Sequence, residues 1–357
     1  MATQETQLLD EIITTSRRKM LTFGAASLAG LMVAGNTKAA EAQTASYTDS
    51  DILNFALNLE YLEANFYYMA AFGTTIDVAN SASTAAGAPQ ITLSGTVGTA
   101  GTVSGGSKVP FTTIQVASYA IETAVEEGKH VATLLSALGG SAAAQPAINI
   151  GTSFQTLAAA ANMLTPAGNI PADFSPYASD DTFLIGAYVF EDVGVTAYHG
   201  AASLLTVSGN LVVAAGILAV EAYHAGLVRT TINYLDPDGS AGLVGYTTSI
   251  SNLRSALSQA GLLGVAPSAT SYDANPDDYG LATFTTPTKL GGGSTATATR
   301  LVDANPANVV AFARNTTQVL NIVTGGGAVS SSGTAAVSPA MGVFFPAGMN
   351  AGANGFK

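Results

Sequence analysis

Glu127-Gly128-Lys129-His130 and Glu221-Ala222-Tyr223-His224 repeat one arrangement, a carboxylate and an imidazole three residues apart. In a helix, residues at that spacing share a face, so each segment directs both groups to one point. Together they use two of the three histidines in the chain, the third being His199. Two further segments share another arrangement: Glu60 with Tyr67, and Glu191 with Tyr198, each tyrosine seven residues after its glutamate. In chain order the whole motif occurs twice, a glutamate and tyrosine followed by Glu-x-x-His. One glutamate from each of two helices plus Glu-x-x-His from each of two others is the donor set of a carboxylate two-metal site in a four-helix bundle. The candidate ligands are therefore Glu60, Glu127, His130, Glu191, Glu221 and His224, around two metal ions.

Electrostatics points the same way. Glu191 follows the apolar run 183–190, and Glu221 follows 214–220. An ionised carboxylate buried in such surroundings is costly unless it is paired. Four buried glutamates would also repel one another. Two divalent cations would cancel four carboxylates, with two neutral imidazoles as further ligands. The chain has no cysteine, which excludes disulfides, thiolate metal sites, iron–sulfur clusters and cysteine nucleophiles. Carboxylate oxygen with imidazole nitrogen suits iron or manganese.

Several neighbours stay open at this level. Glu63, one turn after Glu60, is either an additional ligand or a carboxylate outside the ligand set; the repeated spacing favours Glu60 as the ligand. Glu122 and Glu126 are expected to face solvent. Asp192 is either a hydrogen-bond partner of a ligand histidine or an exposed side chain. His199 follows Tyr198 and is expected to point elsewhere, because adjacent residues do not share a helix face. Tyr67 and Tyr198 read equally well as partners of ligand glutamates and as core aromatics.

Four long helices must position these groups. The first is expected over 49–72, with Ile52, Phe55, Leu59, Leu62, Phe66 and Met69 at steps of three and four. Asp49 or Ser50 would cap it and Gly73 would end it. The others are expected over 112–138, 180–205 and 211–235. Only 206–210 joins the third to the fourth, which makes them antiparallel neighbours. Residues 139–179 are long enough for a crossover, with a short helix over 153–163. Residues 73–111 are rich in Ser, Thr and Gly, and the alternation over 90–106 reads as an inserted hairpin or flap. The expected architecture is an all-α core. A four-helix bundle with one long crossover and an inserted Ser/Thr/Gly-rich hairpin occupies 43–236. An irregular C-terminal extension, 237–357, packs on it. Within the extension, helices are expected over 249–260 and 306–323, the second with Pro306 in its first turn, and loops or short strands elsewhere, including 325–333.

Residues 1–42 read as an address rather than as part of the fold. Paired Arg17-Arg18 precede the apolar run 20–34, which is short for a bilayer span, and Ala40-Glu41-Ala42 offers a cleavage site. This reads as a twin-arginine signal, with an ordinary secretory signal or an uncleaved anchor as the alternatives. It places the mature chain in the periplasm or outside the cell. No later segment has the ~18 uninterrupted apolar residues of a spanning helix, so no membrane span is expected in the mature form. The formal net charge is −12. Arg17, Arg18, Lys19 and Lys38 balance Glu5, Asp10, Glu11 and Glu41, so the mature part carries all of it. That sign disfavours nucleic acid as a partner.

With these residues placed, the chain resembles the ferritin-like superfamily, which includes bacterioferritins, rubrerythrins and manganese catalases. More narrowly, it is similar to exported ferritin-like proteins grouped with plant desiccation-related and fungal stress proteins. The similarity rests on LNFALNLEYLEANFYY (53–68), the two Glu-x-x-His motifs, VVAFARNTTQVLNIV (309–323) and FFPAGMN (344–350). The resemblance implies a bundle holding two iron or manganese ions in a stress-related role. The insertion at 73–111 and the long chain after the fourth helix depart from cage-forming ferritins and argue against bulk iron storage. Two functions fit. One is a di-metal oxidoreductase, ferroxidase or manganese catalase-like, whose partners are metal ions and small oxidants. The other is a non-enzymatic envelope protein of stress or desiccation with a structural or vestigial metal site. A homodimer is compatible with either.

Overall fold

The computed structural model describes residues 47–169, 171, 173–263, 276–287, 295–325 and 344–350. The signal expected over 1–42, and the expected strand beyond residue 325, lie outside them.

Helix α1 (Asp49–Phe72) opens on a capping box one residue earlier than expected: Thr48 Oγ1 accepts from the Asp51 N–H at 3.2 Å, and Asp51 Oδ2 accepts from the Thr48 N–H at 2.9 Å. It closes at Gly73, whose φ of 73° is left-handed and suits glycine. Only Asp49, Ser50, Ala56 and Met69 of α1 escape full burial. It is thus a central helix covered on every side rather than an amphipathic one. The short α2 (Ser81–Ala85) follows, then the long α3 (Ile114–Leu138), α4 (Thr152–Ala160), α5 (Asp180–Ala202) and α6 (Ser208–Leu235). Helix α1 packs on α3 and α5 packs on α6, giving two helix pairs. Two aspartates tie loops to helix starts. Asp180 accepts from the Thr113 N–H at 3.0 Å, and Asp49 accepts from the Thr206 and Val207 N–H groups at 2.9 and 3.0 Å.

The insertion at 73–111 is not a hairpin. Strand β1 (Val103–Ser104) pairs in parallel with β2 (Ile148–Asn149) of the crossover, and Val97 bridges Ala143 in the same sense. Glycine explains the difference. A Cβ on Gly101 or Gly105 would lie 2.2 or 2.5 Å from the backbone of Ala147 or Gly151. The alternating stretch therefore lies flush against the crossover instead of folding back on itself.

A ladder of polar side chains on α1 receives both the crossover and the far end of the chain. Asn54 Nδ2 donates to Ser141 O at 3.0 Å and its Oδ1 accepts from the Ala143 N–H at 2.7 Å. Asn65 Nδ2 donates to Gln145 Oε1 at 2.8 Å. Asn58 clasps Asn350, donating to its carbonyl at 2.7 Å and accepting from its N–H at 2.9 Å. Asn54, Asn58 and Asn65 are all buried, and buried amides require such partners.

The extension is fused to the bundle. Helix α7 (Leu243–Leu263) is longer than expected, because Asp236 accepts from the Ala241 and Val244 N–H groups at 2.8 and 3.0 Å and starts it early. Strands β3 (Thr283–Pro287) and β4 (Thr295–Thr299) form an antiparallel pair. Helix α8 covers only Thr316–Val323, capped by Asn315 and Gln318. The residues before it leave the helical path at Val309, with φ of 58°, and the Arg314 N–H bonds to Thr196 O on α5 at 3.0 Å. Three buried arginines fasten these parts together. Arg229 and Arg254 both reach Asp192, at 2.8 and 3.0 Å; Arg254 also pairs with Asp278 at 2.6 Å, and Arg314 with Asp277 at 2.9 Å. Asp192 thus serves arginines, not a histidine. Helix α6 is long and apolar enough to cross a membrane by length and composition alone, with a mean hydropathy of 1.8. Yet it turns Glu221, His224 and Arg229 into the protein interior.

Removing one member of a buried ion pair leaves an uncompensated charge. Asp192→Ala should lower stability by about 3–5 kcal/mol, read from the shift in urea midpoint. Burial pushes the Asp278 carboxyl up, but Arg254 and Arg314 outweigh it and hold it below its usual 3.8. That contribution is complete above pH 3.8 and is lost as pH falls through the depressed folded value. Stability should therefore drop on acidification below that point, and Asp278→Asn should flatten the drop.

Candidate metal centre

The six predicted ligands meet between the two helix pairs. Glu60, Glu127, Glu191 and Glu221 are at most 2 % exposed; His130 and His224 are 8 % and 5 % exposed. His130 Nδ1 lies 3.3 Å from Glu60 Oε2, 3.5 Å from Glu127 Oε2 and 3.4 Å from Glu221 Oε1. His224 Nδ1 lies 3.1 Å from Glu127 Oε1 and 3.4 Å from Glu191 Oε2. Glu127 thus turns one oxygen to each histidine, the posture of a bridging carboxylate. Two donors each ~2.1 Å from one ion and at right angles to it would lie ~3 Å apart, close to these separations.

Whether the residues fit metal ions can be judged from their unpaired atoms. Glu60 Oε2, both oxygens of Glu127 and of Glu221, Glu191 Oε2, His130 Nδ1 and His224 Nδ1 are buried without a hydrogen-bond partner. Buried polar atoms are rarely left so, and here they converge. The electrostatics agrees. Burial pushes Glu60 up to about 7, despite His130 beside it. Burial, with neighbouring carboxylates, raises Glu63 and Glu221 well above the usual range. Burial opposes charge on both imidazoles, but the facing carboxylates raise them nonetheless. The cluster is short of positive charge, and the donor set fits two cations.

The tyrosines act across the bundle. Tyr67 on α1 donates to Glu191 Oε1 on α5, and Tyr198 on α5 donates to Glu60 Oε1 on α1. Each occupies the outward oxygen of a ligand carboxylate and leaves the other oxygen facing inward. This reciprocity is the pseudo-twofold relation of the two sequence repeats, expressed in contacts.

Two carboxylates break that symmetry. Glu63 is 5 % exposed and offers an oxygen to the group of Glu127, Glu191 and Glu221. Its position one turn after Glu60 was the signal for it. The matching residue on α5 is Gly194, where an added Cβ would lie 2.2 Å from Glu221 Oε2. Glycine costs a helix interior about 1 kcal/mol, and here it makes room for a ligand. Glu126, expected to face solvent, is only 39 % exposed and accepts from His224 Nε2 at 2.7 Å, which leaves Nδ1 as the donor atom toward the centre. The matching residue before Glu221 is Val220, which has no carboxylate to offer His130. His199 does stand apart, its Nδ1 3.1 Å from Phe312 O. Asp192, Asp278 and Asp303 also cluster, but Arg229 and Arg254 supply positive charge there.

Losing the outer partner of a metal-binding histidine typically weakens binding 10–100-fold, so Glu126→Ala should lower affinity for one ion by roughly that factor. Metal titration followed by calorimetry should show one weakened step and one unchanged.

A family model of the ferritin-like domain matches residues 48–234, from the cap of α1 to the end of α6. The chain is 30 % identical over 226 residues to Desiccation-related protein PCC13-62 of Craterostigma plantagineum, covering 60 % of this chain and 64 % of the relative. The chain thus spans less than two thirds of that relative's length. No solved structure matches. The helix pairing, the buried glutamate–histidine cluster and the matched family model agree, and the chain belongs to the ferritin-like domain family.

Proposed function

We propose that the protein is a di-metal carboxylate oxidoreductase that holds two iron or manganese ions and acts on a small oxidant or on ferrous iron. The observation that carries this reading is the set of inward, partnerless donor atoms on Glu60, Glu127, His130, Glu191, Glu221 and His224. Hard oxygen donors with two imidazoles favour iron or manganese. When bound, such a pair supplies two adjacent redox centres able to share an electron change. Glu63 brings a fifth carboxylate to the centre, one more hard oxygen donor for such an ion. Tyr67 and Tyr198 fix Glu191 and Glu60 respectively, and the apolar core around them excludes bulk water. Export through the twin-arginine pathway, to the periplasm or beyond, is part of the same proposal and rests on Arg17-Arg18 and the run that follows.

A second reading has its own support. The curated relative is named for desiccation, and the extension is bound into the bundle by buried ion pairs. The alternative is a non-enzymatic stress protein of the envelope, with the metal as a structural element.

Elemental analysis of the mature protein from its native source separates the two. About two iron or manganese ions per chain, absent from Glu127→Ala/Glu221→Ala, are expected. Manganese would then direct the assay to peroxide disproportionation, and iron to ferrous oxidation. A native protein that is metal-free and as stable as the variant would overturn the redox reading and leave the scaffold.

A further inference from the structure

A cavity of about 40 Å³ lies between α1, α5, α7 and α8, lined by Leu62, Glu63, Val193, Leu253, Leu257 and Ile322 among others. Its wall is almost wholly apolar. The polar contributors are Glu63 and Arg254, and the Arg254 guanidinium is already held by Asp192 and Asp278. A water molecule needs two to four polar partners, so such a space favours a small apolar guest; engineered apolar cavities of about 150 Å³ stay dry and take up benzene or xenon. This one is far smaller and suits a molecule of two atoms. Glu63 lines the cavity and also stands with Glu127, Glu191 and Glu221 in the metal centre. Glu63 is thus common to the apolar space and to the candidate metal centre. The opposite wall, α7 and α8, comes from the extension that follows the matched ferritin-like region, 48–234.

We propose that this cavity is a dioxygen site, completed by the extension and opening on the metal centre at Glu63. The inference rests on the redox reading above and sharpens it: a polar oxidant such as hydrogen peroxide gains nothing from this lining, whereas dioxygen does. It also gives the extension a role at the centre beyond covering α1.

The test pairs a gas probe with a kinetic one. Leu257 lies on α7, apart from the proposed ligands, and Leu257→Phe would fill the space; Leu257→Met conserves volume and is the control. In crystals of the metal-loaded protein under xenon pressure, one xenon atom is expected beside Leu62, Val193 and Leu257, retained in Leu257→Met and lost in Leu257→Phe. With metal content unchanged, Leu257→Phe should slow the reaction with dioxygen about tenfold and leave that with peroxide unaltered. Xenon absent from the cavity, while the loaded centre consumes dioxygen normally, overturns the dioxygen site and leaves the redox reading standing. Xenon bound, with Leu257→Phe reacting with dioxygen as fast as the parent, also overturns it. Xenon bound beside a loaded centre inert to both oxidants removes the redox reading, and with it dioxygen as the occupant. If Leu257→Phe does not fold, Val193→Ile narrows the same space from α5 and carries the same expectations.

Discussion

Five carboxylates brought together in a region nearly closed to solvent govern the rest of this architecture. Left alone, they repel one another and lack the hydration that would offset their charge, so the protein must either neutralise them or keep them apart. It keeps them together, on four different helices. Every nearby irregularity serves that choice. Tyr67 and Tyr198 quench the outward oxygens of Glu191 and Glu60. Gly194 interrupts an otherwise side-chain-rich face of α5 so that Glu221 can come in. Arg229 and Arg254 are spent on Asp192 and Asp278 rather than on the glutamates. Had a guanidinium reached the cluster, the glutamates would be paired without any metal cation.

The pseudo-twofold plan makes its departures informative. A strictly repeated site would hold two equivalent ions. Here Glu63 answers to Gly194, and Glu126 answers to Val220. Both additions come from the first helix pair: Glu63 on α1 joins Glu127, Glu191 and Glu221, and Glu126 on α3 holds the outer nitrogen of His224, which faces Glu127 and Glu191. Two cations held by this donor set would therefore meet unequal surroundings. An ion pair of unequal partners can divide labour in a way that a symmetric pair cannot.

Much of the bundle was legible because its signals are local. The Glu-x-x-His spacing, the two glutamate–tyrosine pairs, Gly73 and Asp236-Pro237 state helix faces and helix ends directly, and α1 runs over the expected 49–72. What could not be read depends on partners far away in the chain. The alternation over 90–106 is strand-like, but only the close approach of Gly101 and Gly105 to residues 147 and 151 decides that its partner is the crossover. Glu126 looked solvent-facing because nothing local shows that His224, 98 residues on, will sit beside it. Asp192 offered two readings, neither of which included two arginines from later helices. The helix expected from Pro306 starts only at Thr316, because the earlier residues are held by contacts to α5.

The clasp between Asn58 and Asn350 joins positions 292 residues apart. During synthesis, α1 leaves the ribosome long before its last partner exists: Asn54 and Asn65 find theirs in the crossover, while Asn58 must wait for Asn350. Contacts of such sequence separation are slow to form, because loop closure must precede any gain. Helix α1 is thus sealed at Asn58 late, by residues made long after it.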